Sequence, residues 1–325
     1  MKKRLLFLLV ISSSLVACNK EISSEFNSYA NNPLNDTIWA AATQNTMPVG
    51  ELINELMPAA IKETVDGATG KFLSFGDTMS ITVPANAFTT GSIPLTTPVA
   101  VEAQLFFKKG QFIRSGRTSA ENNKIIIPIT IMQLAAWNNT TAATVVPSRF
   151  LAFTLTTDTS NSKNYFVFTG KNSTSNDDAS FNWTRQNINI MTWSAIGSGG
   201  FNKTGFQFNS NALGWSTVAQ YMDSTLPSIR LNISLPLNYT NKNTAVFAAF
   251  KNNNAVIRLQ ADVTTKTFTF NRIPINSELL LVSISKIGND YYIGTREITA
   301  RSADLQNITP AKISLNDMKA YLDKL

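Results

Sequence analysis

Any chemistry in this chain has to come from carboxylates, lysine, tyrosine, serine or tryptophan, because its 325 residues include no histidine and one cysteine, Cys18. Serine–histidine and cysteine–histidine nucleophiles, histidine-bound metals and intrachain disulfides are excluded from the start. A glycosidase needs two carboxylates about 5 to 10 Å apart, and the candidates are Glu102, Asp158, Asp177, Asp178, Glu278 and Asp290. Nothing in the sequence pairs them. Asp158, Asp177, Asp178 and Asp290 stand in turn contexts, where aspartate bonds its own backbone, so a carboxylate-dependent hydrolase is the least favoured reading. No catalytic residue is assigned. The run Asn176-Asp177-Asp178 carries hard oxygen ligands but lacks the spacing of an EF-hand loop, so no metal and no cofactor are expected. Ser115-Gly116-Arg117 and Gly197-Ser198-Gly199-Gly200 lack the lysine and spacing of phosphate loops and read as turns.

The five tryptophans offer a different use, stacking on the apolar faces of sugars. Trp137, followed by Asn138 and Asn139, is the candidate ligand site of this kind, read as a loop. Trp183, Trp193 and Trp215 lie in or beside apolar runs, where a large ring fills a core.

Cys18 has its own setting. Lys2, Lys3 and Arg4 precede seven apolar residues, Leu5 to Ile11, and then small residues lead to the cysteine. That apolar run is too short for a transmembrane helix, which needs about 20 residues, and has the order of an export signal. Leu15-Val16-Ala17-Cys18 resembles the lipobox of bacterial lipoproteins, and the resemblance implies lipidation of Cys18 and removal of residues 1–17. Asn19 is not the aspartate of inner-membrane retention, so the outer membrane is expected, with the membrane as a partner through the lipid. Loss of Lys2, Lys3 and Arg4 lowers the net charge from +7 to +4, which gives no clustered basic stripe for nucleic acid.

The elements that would carry a site are mostly strands. Met79, Ile81 and Val83 alternate with polar residues, as do Leu151, Phe153 and Leu155, and Ile229, Leu231, Ile233 and Leu235; period two is the mark of a half-buried strand. Further runs at 99–107, 165–168, 245–250, 267–270 and 279–284 follow, separated by turn residues. Lys124 to Leu134 is strongly apolar but carries Pro128, which predicts a sheet edge or a bulge. Short helices are predicted after Glu51, stopped by Pro58, and after Ser314, which with Asp317 approximates a capping box. The absence of long helices between strands excludes a βαβ fold.

Thr78 to Phe88, with Ile81-Thr82-Val83-Pro84-Ala85-Asn86-Ala87-Phe88, resembles the strand and turn of ZU5-like domains, and the likeness continues through Val99-Ala100-Val101-Glu102. Phe166-Val167-Phe168-Thr169-Gly170, Phe181-Asn182-Trp183 and Ala212-Leu213-Gly214-Trp215 resemble blocks of ZU5-like lipoproteins of the Bacteroidetes. Without histidine, the His-Phe-Ser self-cleavage of some ZU5 proteins has no counterpart here. The expected fold is all-β: two antiparallel β-sandwich domains, immunoglobulin-like or ZU5-like, with a short C-terminal helix. The expected division is signal peptide 1–17, lipidated cysteine and tether 18–64, ZU5-like sandwich 65–158 and second sandwich 159–325. The expected function is a non-catalytic binding or scaffolding module on the outer membrane, with a protein or glycan partner; glycan capture through exposed aromatic residues is the alternative.

Overall fold

The computed structural model describes residues 32–138, 141, 145–157, 159, 164–172, 177–196, 202–223 and 225–325. Met1–Asp36 is one unit; its described residues hold a single 3-10 turn, Pro33–Asn35, opened by the Asn32 side chain accepting from the Leu34 amide at 3.1 Å. Thr37–Leu325 is the second unit, the body of the protein.

Strands make up 53% of the described residues, among which α-helix is confined to three short segments, which bears out the all-β expectation. The helices are α1 (Pro48–Leu56), α2 (Lys109–Ser115) and α3 (Leu315–Asp323). Sheet I runs Ile61–Asp66, Pro98–Phe106, Lys124–Asn138, Gly214–Tyr221, Tyr165–Asn172, Phe181–Arg185 in spatial order, with Ala120–Glu121 paired to the start of its longest strand. Sheet II runs Met191–Ile196, Asn202–Ser210, Leu151–Thr156, Met79–Val83, Lys71–Phe75. The alternation read from sequence explains why these sheets meet. Met79, Ile81, Val83, Leu151, Phe153 and Leu155 are at most 3% exposed and share one core with Val99, Val101, Met132 and Leu134 of sheet I.

Sheet III runs Gln260–Asp262, Thr267–Pro274, Ser228–Ser234, Leu305–Asn307, the last pair parallel. Sheet IV runs Val256–Arg258, Thr244–Phe250, Glu278–Ile287, Asp290–Thr299, Ala311–Ile313. Leu231, Ile233, Phe268 and Phe270 of sheet III pack with Val246, Ala248, Leu279 and Leu281 of sheet IV in a core of their own. Trp39 joins it, its ring 5.0 Å from that of Phe268. Each pair of sheets is thus β-sandwich-like.

A third core joins the two pairs. Thr244–Phe250 is buried at every residue: its even positions from Val246 to Phe250 face sheet III, while Ala245, Phe247 and Ala249 turn the other way. They meet Ile126, Ile131, Phe168 and Ala219 from the second face of sheet I. The helices fill the space between, with Val49, Leu52 and Leu56 from α1, Phe112 and Ile113 from α2, and Met318 and Leu322 from α3. Burying each such side chain contributes about 1.5 to 3 kcal/mol. Polar bonds fix α1 in place. Lys286 reaches Glu51 at 2.9 Å and Glu55 at 2.7 Å, and the Tyr291 hydroxyl donates to Glu55 at 2.8 Å. Burial pulls the Lys286 pKa down, but the bonds to Glu55 and Glu51 outweigh it and hold the ammonium above its ordinary range.

Several sequence expectations are corrected here. A boundary at 158/159 is not a domain boundary: Leu151–Thr156 pairs with Asn202–Ser210, and Lys124–Asn138 pairs with Gly214–Tyr221. The first pair of sheets therefore extends to Tyr221, and the second begins at Ser228. A tether reaching residue 64 is also too long. Ala40 and Asn241 exchange hydrogen bonds at 2.9 and 2.7 Å, α1 lies in the core, and Ile61–Asp66 pairs with Pro98–Phe106. Both options for Pro128 are met: the register skips a residue there, opposite Val218/Ala219, and on the other side of the strand the pairing with Pro98–Phe106 begins only at Ile131.

Helix α2 was not among the expected helices, and the turn expected at Ser115-Gly116-Arg117 is found at its end. Gly116 ends it in the left-handed region, at φ 68°, a conformation that costs glycine least. Gly110 is required by contact: a Cβ there would lie 1.6 Å from the Leu322 carbonyl oxygen, where α2 crosses α3. Gly110→Ala is expected to destabilise the body by about 3 kcal/mol, the scale of core overpacking, read as a fall in urea midpoint at unchanged slope. A variant as stable as the parent would contradict this close packing.

Candidate functional site

The chain leaves sheet I at Tyr221 and enters sheet III at Ser228. A cleft of about 420 Å³ opens at this crossing, within the size range of small-molecule sites, about 300 to 1,000 Å³. Paired strand ends build its walls. Ile126 stands opposite Tyr221, the Met222 amide donates to the Ile125 carbonyl at 2.9 Å, and Ser228 stands opposite Pro274. Strand ends thus carry Lys124, Ile125, Tyr221, Ser228, Arg272 and Pro274, while Asn123, Met222, Asp223 and Leu226 come from the connections between them.

Polar and apolar groups converge in the cleft. Ile125, Met222, Leu226 and Pro274 supply apolar surface, and Leu226 is 53% exposed. Lys124 and Arg272 supply positive charge; Asp223 supplies negative charge. The Lys124 ammonium lies 5.6 Å from the centre of the Tyr221 ring, close enough for a cation–π contact. The Tyr221 hydroxyl donates to Glu121 Oε2, and Glu121 Oε1 accepts from the Arg185 amide at 2.8 Å. Burial, then the bond to Glu121 and its charge, push the Tyr221 pKa up to about 12 against the opposing effect of Arg185. Tyr221 is thereby held neutral as a donor.

The two carboxylates are occupied by their own surroundings. Glu121 serves Tyr221 and the Arg185 backbone. Asp223 accepts from the Thr225 amide at 2.9 Å and hydroxyl at 2.8 Å, and the amide bond, followed by the hydroxyl bond, lowers its pKa. Among the described residues, no carboxylate lies within ion-pair distance of Lys124 or Arg272. A second hollow, lined by Thr43, Asp177 and Asn241, holds about 110 Å³. Its polar groups are bonded internally: Asp177 accepts from the Thr43 amide at 3.1 Å and from Ala179 at 3.0 Å.

The residues singled out by sequence lie elsewhere. Trp137 and Asn138 close the strand Lys124–Asn138, at the opposite end from the cleft, and do not form a loop. Trp137 is half-buried, in register with Ala100. Asn138 is 7% exposed; its amide donates to the Thr97 hydroxyl at 3.2 Å and its carbonyl accepts from the Thr141 amide at 3.3 Å. Asn139 and Cys18 lie outside the described residues. Trp183 is fully buried and donates to the Thr118 carbonyl at 2.6 Å. Trp215 is half-buried, with the Arg117 guanidinium held between its ring and that of Phe181, 4.6 Å from each.

The candidate carboxylates are spread among separate partners. Glu102 pairs with Lys62, Asp290 with Lys312 at 2.8 Å, and Glu278 accepts from Asn252 at 3.3 Å; Asp158 and the Asp178 side chain lie outside the described residues. Among the described residues, no three metal-ligating side chains gather at one point.

No protein-family model, curated protein or solved structure matches this chain.

The arrangement can hold a molecule but has no activated nucleophile in view. Lys124, Tyr221 and Arg272 were not singled out by the sequence reading, and the available signal was faint: Lys124 opens the apolar run 124–134, and Tyr221 and Arg272 sit at or near strand ends. Nothing local joins them.

Tyr221 gives a testable pH response. Its folded pKa is raised, so its contribution is complete below about pH 10, the unfolded value, and is lost as pH rises toward about 12. Two pH units at about 1.4 kcal/mol each set a ceiling of about 3 kcal/mol on the loss, which solvent screening at this part-exposed group lowers. Tyr221→Phe should remove this part of the alkaline loss, so that parent and variant unfolding free energies converge between pH 10 and 12. Parallel curves would mean that Tyr221 is not held as described.

Proposed function

We propose that this chain is a lipid-anchored, non-catalytic binding or scaffolding protein of the outer membrane. In this reading its body is two β-sandwich domains, the first ZU5-like, joined back to back through the helical layer. The observation that carries the reading is the unique cysteine, Cys18, at the end of Leu15-Val16-Ala17-Cys18 behind a short basic and apolar leader. Three acyl chains on one cysteine exceed the two signals needed for stable anchoring.

The body fits a binding role. Its strands are braced on both faces by three cores, so a surface feature keeps its shape without a partner. Pre-organisation of this kind lowers the cost of binding. The cleft at the crossing between the sheet pairs is the ligand site in this reading. Catalysis is not assigned, because Asp223 in the cleft is engaged with Thr225, and Glu121 behind it with Tyr221 and the Arg185 backbone.

Cys18→Ala tests the anchor. The parent should sediment with membranes and incorporate labelled palmitate, requiring detergent for release. The variant should lose the label and move to the soluble fraction with its body folded. A parent that stays soluble and unlabelled would overturn the lipoprotein reading.

A further inference from the structure

We propose that the cleft beside Tyr221 binds a small amphipathic anion, with a carboxylate or phosphate held between Lys124 and Arg272 and an apolar portion lying on Leu226, Met222 and Pro274. This rests on the reading of the cleft as the protein's ligand site and adds the chemical class of the ligand.

The charged groups at the cleft are unequally occupied. Lys124, Arg272 and Asp223 line the cleft, with Glu121 behind Tyr221, and of these only the two carboxylates have hydrogen-bond partners among the described residues. Glu121 is bound by the Tyr221 hydroxyl and the Arg185 amide. Asp223 is closed into a turn by both donors of Thr225. Lys124 rests over the face of Tyr221, a contact that leaves its N–H donors available. Arg272 lines the same cleft and presents a fork suited to a planar carboxylate or to phosphate. A ligand cation would meet two positive charges and one carboxylate whose Oδ1 is already taken by Thr225; a ligand anion would meet two available donors.

The apolar side gives the second half of the class. Leu226 remains 53% exposed although it lines a concavity with Met222, Ile125 and Pro274. A simple inorganic anion would leave this surface wet, whereas a molecule with an apolar portion would cover it, adding about 25 cal/mol for each Å² removed from water. The volume of about 420 Å³ accommodates an anionic head and a short chain or ring.

Neutral, anionic and cationic versions of one skeleton form the test. The full-length chain is titrated by calorimetry with 4-butylbenzoate, 4-butylbenzyl alcohol and 4-butylbenzylamine, and separately with inorganic phosphate. The benzoate should bind roughly ten-fold tighter than the alcohol, the ratio expected for a charge-assisted hydrogen bond, with the amine and inorganic phosphate weaker still. Lys124→Gln and Arg272→Gln should each weaken the benzoate by several-fold and leave the alcohol unchanged. Both residues are exposed, so folding is preserved, as circular dichroism would verify.

Equal binding of benzoate and alcohol would overturn the anionic class and leave the cleft as a ligand site. Tighter binding of the amine would do the same. No binding of any of the three would remove the cleft from the proposed function as well. Benzoate binding untouched by both substitutions would place the anion elsewhere on the body and overturn the assignment to Lys124 and Arg272.

Discussion

Everything in the body depends on one constraint: sheet IV has two apolar faces. Thr244–Phe250 buries all of its residues, so covering one side with sheet III leaves Ala245, Phe247 and Ala249 in need of a second cover. Water on that face would cost several kcal/mol at Phe247 alone. Sheet I presents the same need through Ile126, Ile131 and Phe168. Two sheets with apolar outer faces could close directly on each other; here three short helices enter between them. The helices are too short to be stable alone, and the layer that needs filling is what holds them. Small residues decide how closely they approach, as at Gly110 against Leu322.

Several polar groups inside this arrangement are held by local bonds. Thr244 and Ser285 bond each other at 2.9 Å within sheet IV. Trp183 carries its ring into the middle core and spends its N–H on Thr118. Asn254 reaches from the second pair of sheets to the carbonyls of Phe107 and Pro128 at 3.0 and 3.1 Å. The last bond uses a carbonyl at the site where the bulge at Pro128 interrupts the ladder. The proline and the distant asparagine are therefore parts of one solution, a break in one sheet answered by a side chain from the other half.

Much of this was legible in the sequence, and the limits have physical causes. Met79–Val83, Leu151–Thr156 and Ser228–Ser234 could be read because each has one wet face, which forces alternation. Thr244–Phe250 was readable as a strand but not as the hinge of the whole design, since an apolar run does not state what covers each side. Helix α2 escaped because Phe112 and Ile113 supply too little periodicity in seven residues. The boundary at 158/159 was misplaced because antiparallel pairing is nonlocal: the partner of Leu151–Thr156 lies beyond a polar stretch that resembles a linker. Residues after Thr37 read as tether because a few anchoring groups, Trp39 and the Asn241 partner Ala40 among them, do the work of a hydrophobic pattern. The cleft was the least legible part, since Lys124, Tyr221 and Arg272 meet only when the two halves are packed.

The long strand Lys124–Asn138 has a consequence of a different kind. It spans about 50 Å at the usual rise per residue and contributes to all three cores: Ile125 to the one between sheets III and IV, Ile126 and Ile131 to the helical layer, and Met132, Leu134 and Ala136 to the one between sheets I and II. A beam embedded in every compartment of a building ties their failure together. Its ladders all lie in sheet I, so it reaches the other half through side-chain packing alone. Loosening any one of the three cores is therefore felt along the same strand by the other two.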